Sequence, residues 1–119
     1  MAKRILIIED DQDILGSIET LLDLHDFDVV GVTDTVDIIS LVNQHQPDLV
    51  LTDFVLPGMN GGQICKAIKH HKNWSHIPVI LMTAYHKQAV AVANFGYDAY
   101  LAKPFENKKL IDIVENLLS

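Results

Sequence analysis

Residues 48–62 read DLVLTDFVLPGMNGG. Asp48–Thr52 is the apolar run of a strand, Asp53 stands at its end, and Pro57-Gly58-Met59-Asn60-Gly61-Gly62 is rich in turn residues. A helical pattern, Gln63–His70, follows. This is one strand–helix unit, and the same alternation continues in both directions. Upstream, Ile5–Ile8 is a continuous β-branched and leucine run, the pattern of a strand buried on both faces. Ile14, Ile18, Leu21 and Leu22 then recur at helical spacing, and Asp11 or Asp13 can cap that helix. Asp28–Val32 reads as a second strand, and Val36–Leu41 begins a second helix. Downstream, Pro78–Met82 (PVILM) is the fourth strand, and Lys87–Phe95 reads as a fourth helix closed by Gly96. Ala99–Ala102 is the last strand, and Glu106–Leu118 closes the chain as an amphipathic helix.

Five strand–helix units predict an α/β chain, a doubly wound five-stranded parallel sheet with five helices on its two faces. With 119 residues and no linker, repeat or low-complexity stretch, one domain over residues 1–119 is expected. Hydrophobic residues make up 49% and charged residues 21%, enough apolar material for one core. The formal net charge of -7 argues against nucleic acid or an anionic membrane as a direct partner. No apolar run approaches the roughly 20 residues of a membrane span. The start, MAKRILIIEDD, turns acidic too soon for a signal peptide. A single cysteine, Cys65, fits a reducing, cytoplasmic setting. Residues 1–65 hold two basic and twelve acidic residues, whereas residues 66–119 hold seven and four. The acids gather where the first strands end.

In a parallel sheet with helices on both faces, ligands sit outside the carboxyl ends of the strands. Glu9, Asp10 and Asp11 follow the first strand, Asp53 ends the third, Thr83 follows the fourth and Lys103 follows the fifth. Crowded carboxylates repel, and a hard divalent cation relieves that repulsion. Oxygen-only ligands favour Mg²⁺ over zinc. Acids, cation, hydroxyl and lysine together suit phosphoryl transfer, in which catalysis is mainly positioning and charge neutralisation. Asp53 is the candidate nucleophile, by way of an aspartyl phosphate. Removing Lys103 is expected to leave stability nearly unchanged or modestly lower, because the lost counter-ion is offset by relief of its own desolvation.

The segments IIEDD, LVLTDFVLPGMNG, PVILMTAY and YLAKPF, in this order and spacing, resemble the signatures of the response-regulator receiver domain of two-component phosphorelay signalling, of the chemotaxis-regulator-like kind. The resemblance covers essentially the whole chain. It implies the flavodoxin-like strand order 2-1-3-4-5. It also implies that Glu9 and Asp10 organise Mg²⁺ together with Asp53 and the backbone carbonyl of Val55. Asp53 would be the phosphorylated residue, Thr83 the switch hydroxyl, Lys103 the phosphate-binding lysine and Tyr100 the switch aromatic. Pro104 matches a proline that follows a cis peptide bond. A domain of this kind would catalyse its own phosphorylation and dephosphorylation. The implied partners are a sensor histidine kinase or histidine phosphotransferase and an unidentified downstream effector. Pairing of two copies through the fourth helix, last strand and last helix is also implied. Val55 and Tyr85 fall where side chains flank the path of hydrolytic water in the family, so slow loss of the phosphoryl group is expected.

Competing patterns are weaker. Cys65, His70, His71 and His76 lack the paired short spacings of a zinc site. Asp11-x-Asp13 lacks the glycine and the final glutamate of a calcium loop. Gly58, Gly61 and Gly62 match no nucleotide-binding pattern and read as turn residues. Lys66, Lys69, His70, His71 and Lys72 read as a solvated helix end, and Trp74 as a loop anchor. A flavodoxin-like cofactor carrier would need a phosphate-cradling loop where this chain places acids. The remaining alternative is a phosphorylation-independent pseudo-receiver, an interaction module that keeps the fold without the chemistry. Such a module would normally have lost an acid, the threonine or the lysine, and this chain has lost none.

Overall fold

The computed structural model describes residues 2–34, 37–56, 60–84 and 96–119. Strands β1 (Arg4–Ile8), β2 (Asp28–Val32), β3 (Leu49–Asp53), β4 (Val79–Thr83) and β5 (Ala99–Ala102) form one parallel sheet in the order β2-β1-β3-β4-β5. Helices α1 (Gln12–Leu24), α2 (Ile38–His45), α3 (Gly61–Lys69) and α4 (Asn107–Leu118) complete the described elements. The flavodoxin-like strand order is the expected one. The helix expected over Lys87–Phe95 lies outside the described residues, as do Val36, Pro57, Gly58, Met59 and Tyr85. Four helices, rather than the expected five, are therefore found among the described residues.

The period of two along each strand sorts the apolar residues between two cores. Ile5, Ile7, Leu49, Leu51, Ile80 and Met82 pack against Leu15, Ile18 and Leu22 of α1 and Leu110, Ile111 and Val114 of α4. Their neighbours Leu6, Ile8, Val50, Val79 and Leu81 pack the other way, against Ile38 and Val42 of α2 and Ile64, Cys65 and Ile68 of α3. Both faces are covered, so the central strands read as unbroken apolar runs rather than alternating ones. Each such side chain contributes roughly 1.5–3 kcal/mol on burial, which fixes the strand ends to within a residue.

Those ends place the polar residues. β3 runs one residue beyond the apolar stretch, because Asp53 still pairs with Met82 of β4. β4 likewise reaches Thr83, which pairs with Ala102 of β5. Asp53 and Thr83 are thus the last residues of strands, held by the sheet, rather than the first residues of loops. Asp11 resolves the choice of cap for α1: its carboxylate accepts from the backbone N–H groups of Asp13 and Ile14. Helix α3 starts two residues before the apolar periodicity does. Asn60 accepts from the Gln63 N–H at 2.9 Å, and the Gln63 side chain accepts from the Asn60 N–H at 2.9 Å.

The opposite edge of the sheet is closed by ion pairs. Arg4 Nε donates to Asp28 at 2.7 Å, and its Nη1 donates to the His45 carbonyl. Lys69 was expected to be solvated with its basic neighbours, but its ammonium lies 2.6 Å from Asp98 and donates to the Ile77 carbonyl at 2.8 Å. Asp98 also accepts from the Val79 N–H, so the pair ties α3 to the starts of β4 and β5. Trp74 is a partly buried anchor on the α2–α3 core, stacked on His71. None of the described helices is long and apolar enough to cross a membrane.

Candidate functional site

At the carboxyl edge, Glu9 extends one residue beyond β1 and its N–H donates to the Val32 carbonyl of β2. This contact keeps the chain in line with the sheet, and the Glu9 side chain is sealed, with a relative exposure of 0% for the residue. Asp10 is exposed beside it, Asp53 is buried at the end of β3, and Thr83 is buried at the end of β4. Lys103 follows β5, with its N–H donating to the Thr83 carbonyl at 2.8 Å. The Lys103–Pro104 peptide bond is cis, as the family resemblance implies. Tyr100, in β5, is partly buried against the α2–α3 core. Val55, two residues beyond Asp53, is exposed.

Three carboxylates meet. Glu9, Asp10 and Asp53 each offer an oxygen within 4.8 Å of the other two, and this is the one acidic, histidine or cysteine group of metal-binding geometry among the described residues. Cys65 is instead buried in the core, where burial pushes its thiol up to about 11. The Lys103 ammonium lies 2.5 Å from Glu9 Oε1 and 3.3 Å from Asp53 Oδ1. The other oxygen of Glu9 accepts from the Asp11 N–H at 3.2 Å. Lys103 therefore bridges two carboxylates, and its shorter contact is to the more buried one.

The electrostatics follow from this packing. Burial raises the Glu9 carboxyl above the usual range; the Lys103 hydrogen bond opposes the shift and the Asp53 charge adds to it. Burial likewise raises Asp53, against the attraction of Lys103 and with repulsion from Asp10. Burial works against the Lys103 charge, but the Glu9 hydrogen bond and the Asp53 charge outweigh it and raise the ammonium. The cluster thus carries excess negative potential relieved only in part by one lysine. Its donors are all carboxylate oxygens, the set preferred by a hard divalent cation.

The sequence model of the response regulator receiver domain family matches residues 5–115, so the chain belongs to that family. The phosphate regulon transcriptional regulatory protein PhoB of Escherichia coli (strain K12) is 34% identical over 113 residues, covering 93% of this chain and 49% of that protein. The chain spans about half the length of the curated relatives it matches. The signal receiver domain of a signal transduction histidine kinase from Syntrophus aciditrophicus superposes with a TM-score of 0.91 at 27% identity, covering 98% of this chain and 90% of that one. The receiver domain of a sensor histidine kinase from Pseudomonas aeruginosa PAO1, which has a magnesium ion coordinated in its active site cleft, superposes with a TM-score of 0.87 at 26% identity. That match covers 99% of this chain and 98% of the other.

All the residues singled out from the sequence at the strand ends are among the described ones, and Glu9, Asp10, Asp53 and Lys103 form one cluster. Two features escaped sequence reasoning. One is the preference of Lys103 for Glu9, which depends on a side-chain path across the sheet. The other is the seat of Gly61 on Asp53. An ideal Cβ built at Gly61 would lie 2.3 Å from the Asp53 carbonyl oxygen. In the sequence Gly61 reads as a turn residue, but the Asn60-x-x-Gln63 capping signal marks it as the residue that opens a helix.

Proposed function

We propose that this chain is a phosphoacceptor switch: it takes a phosphoryl group from a histidine kinase or histidine phosphotransferase onto Asp53. The observation that carries this reading is the bridge of Lys103 between Glu9 and Asp53, with Asp10 alongside, in a member of the receiver family. Mg²⁺ would be held by Glu9, Asp10, Asp53 and the Val55 carbonyl, and when bound it neutralises charge on the phosphoryl oxygens. The oxygen donor set of the cluster and the magnesium in the Pseudomonas receiver domain support that choice.

An Asp53 carboxylate oxygen attacks the phosphorus of a partner's phosphohistidine. The new O–P bond forms as the P–N bond breaks, and the bonding pair leaves on the imidazole nitrogen, which takes up a proton. Lys103, 3.3 Å from Asp53, favours the ionised carboxylate that attack requires and is placed to bind a phosphoryl oxygen. The Thr83 hydroxyl takes a second oxygen. Its movement opens space for Tyr100, which shifts the population between two packings of the face that includes β5 and α4. A downstream effector, in this polypeptide or another, reads that face. Two copies of the chain could also pair there. The similarity to the transcriptional regulatory protein PhoB supports an effector of some kind. The phosphoryl group is later lost to water at the same site, so the domain catalyses its own dephosphorylation.

The test is incubation with a small acyl phosphate, with Mg²⁺ or with chelator, followed by intact-protein mass spectrometry. Wild type should gain one phosphoryl group only with Mg²⁺, and Asp53→Asn should gain none. Asp10→Asn should demand more Mg²⁺. Labelling of Asp53→Asn equal to that of wild type would contradict the assignment, and a wild type that gains no phosphoryl group would favour a pseudo-receiver.

A further inference from the structure

We propose that Gly61 is a positioning residue for phosphoryl transfer: with only a hydrogen on its Cα, it lets α3 rest on the Asp53–Phe54 peptide and so fixes where the Asp53 carboxylate points. The inference rests on the phosphoacceptor role of Asp53 and adds to it a residue from another element.

The contact is backbone on backbone. A Cβ at position 61 would lie 2.3 Å from the Asp53 carbonyl oxygen, 2.8 Å from Phe54 Cα and 3.0 Å from the Asp53 carbonyl carbon. No rotamer change relieves such an overlap, because none of the three atoms belongs to a side chain. This peptide is held by two hydrogen bonds, and the carbonyl of the next one by a third. The Gly61 N–H donates to the Phe54 carbonyl at 2.9 Å, the Phe54 N–H donates to the Met82 carbonyl at 2.7 Å, and the buried Thr52 hydroxyl donates to the Asp53 carbonyl at 3.0 Å. The Asp53 carbonyl thus lies between the Thr52 hydroxyl and the Cα of Gly61. On the helix side, Gly61 is the first residue of α3, so relief of the overlap would have to displace the start of the helix.

A methyl group at position 61 has to move that carbonyl, or the helix, by about 0.7 Å to reach the shortest separation real Cβ atoms show. The Asp53 carboxylate is two bonds from this backbone, so the shift is passed to the oxygens that face Lys103, Glu9 and Asp10. Misplacement of a reacting group by about 1 Å costs on the order of 10²-fold in rate, and loss of an outer support costs roughly 10–100-fold in metal affinity. Gly61→Ala is therefore expected to slow phosphorylation of Asp53 by a small acyl phosphate at least roughly tenfold, and to weaken Mg²⁺ binding by a similar factor.

Loss of stability alone would not identify a positioning role, so Asn60→Ala serves as the comparison. It removes the cap of the same helix turn and destabilises it without pushing on Asp53. Mg²⁺ affinity by calorimetry and phosphorylation rate by intact-mass time course are measured on wild type, Gly61→Ala and Asn60→Ala, at a temperature where all three are folded by circular dichroism. The expected result is a roughly tenfold or larger loss in both quantities for Gly61→Ala, with Asn60→Ala close to wild type. Equal rates and affinities in Gly61→Ala and wild type, or equal losses in the two variants, overturn the inference. Should Gly61→Ala fail to fold, ¹⁵N-labelled wild type decides: the Gly61 amide resonance should move on Mg²⁺ addition with the dissociation constant reported by the Asp53 amide. A Gly61 amide that Mg²⁺ leaves in place overturns the inference. Wild type that takes up no phosphoryl group refutes the phosphoacceptor role itself, whereas labelled wild type with equally labelled Gly61→Ala refutes only the role of Gly61.

Discussion

Replacing Lys103 by methionine, which keeps the length of the side chain and removes its charge, tests how the site is held before any phosphoryl group arrives. Lys103 Nζ contacts Glu9 Oε1 at 2.5 Å, and the side chains are 17% and 1% exposed. Without the ammonium, the Glu9 carboxylate keeps a single donor among the described residues, the Asp11 N–H at 3.2 Å. Breaking a fully buried pair costs about 3–5 kcal/mol and leaving a buried acceptor unsatisfied costs about 1–3 kcal/mol. Lys103 is partly open to water and Asp53 is its second partner, so about 2 kcal/mol is expected for Lys103→Met at pH 7.5 in chelator, more than the near-neutral change expected from the sequence, because the carboxylate it leaves behind is sealed from water. For a domain of this size that is a fall in Tm of roughly 8 °C. Glu9 can escape by taking up a proton, and its carboxyl is already raised by burial. The loss should therefore shrink at pH 5, where the neutral form costs less to bury. The double variant Glu9→Gln/Lys103→Met removes the orphaned charge at position 9, leaves only Asp53 without its lysine, and should recover a large part of the loss. Urea unfolding followed by circular dichroism measures all of these. Lys103→Met within about 0.5 kcal/mol of wild type at pH 7.5, or a double variant no more stable than Lys103→Met, would refute the reasoning.

Asp53→Asn should be more stable than wild type at pH 7.5 without Mg²⁺. Burial raises the Asp53 carboxyl, so its contribution to stability is fully present below its unfolded value of 3.8 and is lost as pH rises through the folded value. Urea midpoints that fail to converge as pH falls toward 4, or that favour wild type at pH 7.5, contradict that sign. The Cys65 thiol, buried and pushed up to about 11, should resist a thiol reagent at pH 8 until denaturant is added. Full labelling of the native protein within seconds would show that this core face opens. Val55 cannot orient a hydrolytic water, so the phosphorylated form should decay over minutes to hours, and Val55→Asn should shorten its life. Decay within seconds in wild type, or no acceleration in the variant, removes the shielding explanation.

The fold was legible because a sheet buried on both faces writes itself into the sequence as unbroken apolar runs. Ile5–Ile8 and Pro78–Met82 could be read as strands without knowing their neighbours. Their ends were less legible. Asp53 and Thr83 continue the ladders of β3 and β4 but are polar, and hydrophobicity stops marking a strand where its last residue turns to the ligand edge. The start of α3 was missed by two residues for a related reason. Gly61 and Gly62 have poor helix propensity, and the Asn60–Gln63 capping box overrides it. The site residues were legible as a set, because β1, β3, β4 and β5 deliver Glu9, Asp53, Thr83 and Lys103 to one edge in any parallel sheet of this order. Their pairing was not. Whether Lys103 reaches Glu9 or Asp53 depends on the rise of one strand against another, and Lys69 looked solvated because its partner, Asp98, is 29 residues away in the chain.

The most direct measurement is the position of the phosphoryl group itself. Wild type is phosphorylated by a small acyl phosphate in Mg²⁺ and treated at once with borohydride, which reduces an acyl phosphate to an alcohol and spares free carboxylates. The protein is then digested and the peptides are sequenced by tandem mass spectrometry. Reduction at position 53 alone, in the peptide containing Leu49–Asp53, is the expected result. Reduction at Glu9, Asp10 or Asp11, or at no carboxylate while the protein carries a phosphoryl group, would contradict the assignment of Asp53 as the phosphoacceptor.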